Sequence, residues 1–224
     1  MTALKSAVAI IAKDVRLEAR RVENLATMAI FAVLVVVIFV FAGDPTPEDL
    51  SRLGPGALWV SLLFSGVIGF QRWFAQEERN GALQGLLLTP VDRGALFIGK
   101  WVGATLFLLA IECVLVPAAS MLYDLRLAAV WPKLTLVMVV VTIGYAALGT
   151  FFAAIAAHTT AGQLLLPVLL FPLSVPILLA GAGASQQIMT GDGSAYWDWV
   201  GLAAAFDVIF GTVCTMTFEY VITE

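Results

Sequence analysis

Apolar residues in this chain run in blocks too long for an ordinary water-soluble core. Uncharged or nearly uncharged stretches cover residues 24–43, 53–71, 101–123, 134–157, 164–184 and 199–218. A hydrocarbon layer about 30 Å thick is crossed by roughly 20 helical residues at a rise of about 1.5 Å each, so every block is long enough for a span. Backbone polar groups in lipid must be satisfied within the segment, so the pattern predicts an all-α polytopic membrane protein with six transmembrane helices. Ahead of the first block, Leu4, Val8, Ile11, Val15 and Val22 recur at helical spacing opposite Lys5, Lys13, Arg16 and Arg20. This is the pattern of an amphipathic helix lying in the membrane interface with its basic side chains toward phosphates. The expected organisation is an interface helix over 1–23 and a six-span domain over 24–224 that carries a cytoplasmic segment at 72–100. The first block is followed by an acidic loop without a small-residue cleavage motif, so it reads as a retained span and not a signal peptide.

Composition and charge sharpen this picture. Of 224 residues, 61% are hydrophobic and 12% charged, far from the roughly 45–50% and 25% of soluble domains. No sizeable soluble catalytic domain fits, and a net charge of −4 offers no field for nucleic acid. Lys and Arg divide unevenly between the two sides of the predicted spans. Lys5, Lys13, Arg16, Arg20, Arg21, Arg72, Arg79, Arg93 and Lys100 fall on one side, and Arg52, Arg126 and Lys133 on the other. By the positive-inside rule both termini are expected in the cytoplasm. Trp59, Trp73, Trp101, Trp131, Tyr196, Trp197 and Trp199 fall near span ends and read as interfacial aromatics. The fifth span carries Pro167, Pro172 and Pro176 and is expected to be bent or broken, with Ser174 available for freed carbonyls. Gly99 and Gly103, one turn apart, permit close helix approach. Cys113 and Cys214 sit in apolar stretches and read as buried free thiols, with no disulfide framework or zinc-ligand spacing.

Candidate chemistry is sparse. Gly94-Ala-Leu-Phe-Ile-Gly99-Lys100 matches seven positions of a phosphate-binding loop, but Trp101 stands where magnesium needs a hydroxyl and no buried strand precedes it. ATP binding, if used, is expected in another subunit. His158 is the sole histidine and there is no G-x-S-x-G elbow, so no catalytic residue, metal ligand or cofactor site is assigned. His158 is expected at the cytoplasmic boundary, as an interfacial residue, a partner contact or a haem ligand. Glu112 and Asp207 fall near the middle of spans, where an ionised side chain costs several kcal/mol (of order 3) unless paired, hydrated or protonated. They should face the interior, as a polar lining, a latch or a neutral interhelical hydrogen bond. The richest segment is 72–100: the polar run Gln76-Glu77-Glu78-Arg79-Asn80-Gly81 is followed by Leu83, Leu86 and Leu87 and stops at Pro90. It reads as a short amphipathic helix that docks on a partner.

At this segment the chain resembles the permease subunit of the cytochrome c maturation ABC transporter, the haem exporter protein B family (CcmB). The resemblance rests on Glu78-Arg79-Asn80-Gly81-Ala82-Leu83, Leu86-Leu87-Leu88-Thr89-Pro90 and Gly99-Lys100, with the proline-rich stretch from Leu170 to Leu178 in support. Gln84 and His158 depart from the acidic and basic residues common there in the family. The resemblance implies a permease without its own ATPase, paired with a second copy on two copies of an ATP-binding subunit. It also implies other cytochrome c maturation membrane proteins and a periplasmic haem chaperone as partners, haem as candidate cargo, and the bacterial inner membrane as location. Gln76, Glu77, Glu78, Arg79, Gly81, Leu83, Leu86 and Leu87 would then form the coupling helix on the ATPase. An ABC permease for lipid or polysaccharide, and an ion-coupled secondary transporter using Glu112 and Asp207, are the competing readings.

Overall fold

The computed structural model describes residues 10–13, 22–42, 46–79, 93–123, 130–157, 162–191 and 193–221. Six long helices account for almost all of them: α1 (Val22–Phe41), α2 (Pro47–Arg79), α3 (Arg93–Leu122), α4 (Trp131–Ala157), α5 (Gly162–Thr190) and α6 (Tyr196–Val221). Each contains a stretch long and apolar enough to cross a membrane, and no strand occurs among the described residues. Few residues separate most successive helices, five between α1 and α2 and four between α4 and α5, and such short links join antiparallel neighbours. At the start, residues 10–13 are helical and Ile10 joins the packed core; residues 1–9 and 14–21 of the expected interface helix lie outside the described residues, and Val22 and Glu23 belong to α1.

Helix α4 stands at the centre. It packs against α2, α3, α5 and α6, and these four also touch one another in a closed ring, α2 to α3, α3 to α6, α6 to α5 and α5 to α2. Helix α1 lies outside the ring across α2 and α3, held by one stripe, Met28, Ala32 and Val36, at a four-residue interval and fully buried. Burial follows this order. Two thirds of the most apolar window is buried in α2 and α4, against 17% in α1 and 22% in α6. Along the middle of the outer helices exposed side chains such as Ile30, Leu34, Val208 and Met216 are apolar, as lipid contact demands.

Aromatic rings laid on glycines set several of the close approaches. The Tyr145 ring lies over Gly66, the Phe70 ring over Gly149, the Trp59 ring over Gly181 and the Trp199 ring over Gly183. Lipid is as apolar as leucine, so membrane helices associate through such packing and through interhelical hydrogen bonds. Trp59 Nε1 donates to Ser185 Oγ at 3.1 Å, Ser65 Oγ to the Met28 carbonyl at 3.1 Å, Tyr123 Oη to the Val36 carbonyl at 3.2 Å and Tyr196 Oη to the Lys133 carbonyl at 3.0 Å.

Several expectations change here. Helix α5 runs unbroken through Pro167, Pro172 and Pro176. Ser174 Oγ donates to the Phe171 carbonyl at 3.1 Å, beside and not at the Pro172 carbonyl that Pro176 deprives of its donor. Trp59 is buried and Trp101 reaches into the bundle, because an indole N–H finds acceptors on a neighbouring helix. Trp131 and Trp197 are exposed at one end, as interfacial rings should be. Cys214 is buried as expected, but Cys113 is exposed, on the face of α3 turned away from its neighbours. Between α5 and α6 there is a tight turn with Gly191 at φ 77° and Gly193 at φ 54°, backbone conformations that glycine adopts without strain.

Candidate functional site

Four consecutive residues near the middle of α4 meet all four neighbouring helices, three of these residues through hydrogen bonds. Successive helical residues point about 100° apart, so Thr142, Ile143, Gly144 and Tyr145 sweep roughly 300° around α4 within about 4.5 Å of its length. Thr142 Oγ1 donates to Glu112 Oε1 of α3. Trp101 Nε1, also of α3, donates to the Ile143 carbonyl at 2.7 Å. Tyr145 Oη donates to the Leu63 carbonyl of α2 at 2.7 Å. Gly144, lacking a side chain, leaves room for Asp207 Oδ1 of α6 and Ile177 Cδ1 of α5 against its backbone.

The two carboxyls expected to face inward therefore flank α4 on different sides. Glu112 is 3% exposed and accepts the threonine hydroxyl, the arrangement that keeps a buried polar group satisfied. Asp207 is half-buried; its Oδ1 is shut in and accepts no hydrogen bond. An ionised carboxylate unpaired at this depth costs about 3 kcal/mol. Sequence reasoning found both acids because a charge in an apolar block is conspicuous. It missed Thr142, Tyr145 and Trp101, whose uncharged polar groups hardly disturb the apolar pattern.

The segment expected to dock on a partner is described in part. Helix α2 does not stop at the membrane edge: its 33 residues span roughly 50 Å at about 1.5 Å each, more than a hydrocarbon layer of about 30 Å. Gln76, Glu77, Glu78 and Arg79 form its last turn, continuous with the span and not part of a separate short helix, since no breaker intervenes before Asn80 and Gly81. Gly81, Leu83, Leu86, Leu87 and the rest of 80–92 lie outside the described residues, as does His158. Helix α3 starts at Arg93, where Arg93 Nη1 lies 4.0 Å from Glu219 Oε1 of α6. The Gly94–Lys100 stretch is wholly helical and not the loop that a phosphate-binding motif of this spacing forms. Gly99, Gly103 and Lys100 are all buried against the bundle. Among the described residues no group of His, Cys, Asp and Glu could hold a metal ion.

Comparison with known proteins agrees with this architecture along nearly the whole chain. A family model described as CcmB protein matches residues 5–223. The chain is 32% identical over 195 residues to heme exporter protein B of Bradyrhizobium diazoefficiens, covering 85% of this chain and 84% of that protein. It is 28% identical over 182 residues to heme exporter protein B of Pseudomonas aeruginosa, covering 81% of each. Heme exporter protein B of Paracoccus denitrificans is 32% identical over 183 residues, with 80% of this chain and 82% of that protein covered. The chain, a six-helix membrane bundle built around α4, belongs to the CcmB protein family.

Proposed function

We propose that this chain is the membrane permease subunit of an ABC transporter that serves haem export and c-type cytochrome formation, and that a separate subunit hydrolyses ATP for it. The reading is carried by the family match over residues 5–223 and by relatives named heme exporter protein B. The helical bundle adds a route for coupling: α2 ends in the polar turn Gln76–Arg79 and α3 begins at Arg93, so both flank the segment that docks on the ATPase. That end carries Arg72, Arg79, Arg93 and Lys100 and faces the cytoplasm, with both termini, in a bacterial inner membrane. Two copies of the permease sit on two copies of the ATPase, alongside other cytochrome c maturation proteins and a periplasmic haem chaperone.

Purification of the tagged chain from membranes tests this. An ATP-hydrolysing subunit co-elutes, and deletion of the gene abolishes c-type cytochromes, which a lipid or polysaccharide permease would spare. Reversing the last turn of α2 with Glu77→Lys, Glu78→Lys and Arg79→Glu lowers the co-eluting ATPase at least fivefold and leaves the permease in the membrane. Undiminished co-elution refutes the docking assignment. The ion-coupled alternative draws on the unpartnered Asp207 Oδ1; gradient-driven transport by the chain alone in liposomes would replace the ABC reading with it.

A further inference from the structure

We infer that the 142–145 node of α4 is a fulcrum, and that Thr142, Tyr145 and Glu112 are positioning residues through which movement of the docking segment reaches the opposite face of the membrane. This rests on the docking reading above and names the part of the bundle that transmits it.

The hydrogen bonds at this depth are unequally shared. Helix α4 has four neighbours, yet the bonds go to α3, through Glu112 and Trp101, and to α2, through Leu63. These are the two helices joined by the 80–92 segment. On the other sides Gly144 meets Ile177 of α5 and the unbonded Oδ1 of Asp207 on α6, contacts without a directional bond. Helices α2 and α3 are thus pinned to the central helix at this level, whereas α6 is bonded to α4 near the helix starts, through Tyr196 and the Lys133 carbonyl, and Ser185 of α5 accepts from Trp59 of α2 and not from α4.

The position of the pin along α2 gives it leverage. Leu63 is the middle residue of Pro47–Arg79, so roughly 24 Å of helix extends on either side. Between Leu63 and Arg79 the helix carries no proline, so displacement of that end turns it about the pin; on the other side Pro55 interrupts the hydrogen-bond ladder about 12 Å from Leu63, and the rotation is carried rigidly as far as that point. The pin is also sterically defined: a Cβ at Gly66 would lie 2.7 Å from Tyr145 Oη, so the phenol reaches Leu63 because α2 has no side chain there. Phe70 holds the same ring edge-on, with centroids 5.6 Å apart. Helix α3 grips more broadly. Trp101 and Glu112, about 16 Å apart along it, converge on adjacent residues of α4.

Near-isosteric substitutions separate a fulcrum from simple structural glue. The double variant Thr142→Val with Tyr145→Phe removes two donors and keeps the shape. Expressed in a strain lacking the gene, it should accumulate in membranes and retain its ATPase partner, with ATP hydrolysis within twofold of the unaltered complex. The yield of c-type cytochromes should fall at least fivefold, an uncoupled complex. Glu112→Gln keeps an oxygen to accept from Thr142, and Thr142→Ser keeps the hydroxyl; both should mature cytochromes within twofold of the unaltered chain. Unchanged cytochrome yield in the double variant overturns the inference. So does parallel loss of membrane abundance, ATPase and yield, which would assign these bonds to folding alone, and so does failure of Glu112→Gln. If the unaltered chain purifies without any ATP-hydrolysing subunit, the docking reading itself fails and the fulcrum with it, a result distinct from the others because it is seen before any substitution is made.

Discussion

At the scale of single residues, stability rests on where side chains are missing as much as on where they are present. A Cβ at Gly66 would come within 2.7 Å of the Tyr145 hydroxyl, which is itself committed to Leu63, while a Cβ at Gly56 would meet nothing within 4 Å. Gly66→Ala should therefore destabilise by about 1–3 kcal/mol through overpacking, whereas Gly56→Ala should be neutral or stabilising by up to about 1 kcal/mol through helix propensity. Thermal unfolding in detergent, with the two variants side by side, checks the sign of both. Glu112 and Asp207 were legible in the sequence because two acids interrupt otherwise apolar blocks. Their partners were not, since Thr142 and Gly144 look like any small residues in a membrane helix. Trp101 was misread for a related reason: a tryptophan at the edge of an apolar block has the same signature whether its ring lies in the interface or turns inward to Ile143.

At the scale of elements, the helices continue through features that would end them in water. Helix α5 keeps its helical path past three prolines, where each interior proline costs a helix about 3 kcal/mol in solution. Pro172 and Pro176 lie on its exposed face, so their rings point away from the α4 contact. Pro176→Ala should return a donor to the Pro172 carbonyl without disturbing packing. The expected outcome is an unchanged or raised unfolding temperature, and a drop of several degrees would mean that the proline ring itself is a packing contact. Helix α2 shows the converse, a boundary placed too early in the sequence reading. Hydropathy falls at Gln71 and Arg72, yet Trp73 through Arg79 are all competent helix residues and the helix continues. The end of an apolar block marks where lipid ends, which is a different event from the end of hydrogen bonding.

At the scale of the whole molecule, the number of spans was readable and their arrangement was not. Burying a leucine against protein or against lipid gains nearly the same transfer energy, so hydropathy carries little information about which face turns inward. That α4 is central and α1 peripheral became visible only with the packing. The distinction has a measurable counterpart. Ile30→Ala on the outer surface of α1 should change stability by less than about 0.5 kcal/mol. Ala32→Leu, two residues away but fully buried, should cost about 1–3 kcal/mol by overpacking. Retention of the unaggregated protein peak on gel filtration after graded heating compares them, and equal loss in both would contradict the placement of α1.

The bond between Glu112 and Thr142 joins residues 30 positions apart in the chain. Ribosomes add about 5–20 residues per second, so the threonine follows the acid into the membrane after an interval of about 1.5–6 s. During that interval the nascent protein must shelter a lone carboxyl in oil, by keeping its proton, by borrowing water or by waiting beside the translocon. The central helix, arriving fourth, ends that exposure and locks together the two that came just before it.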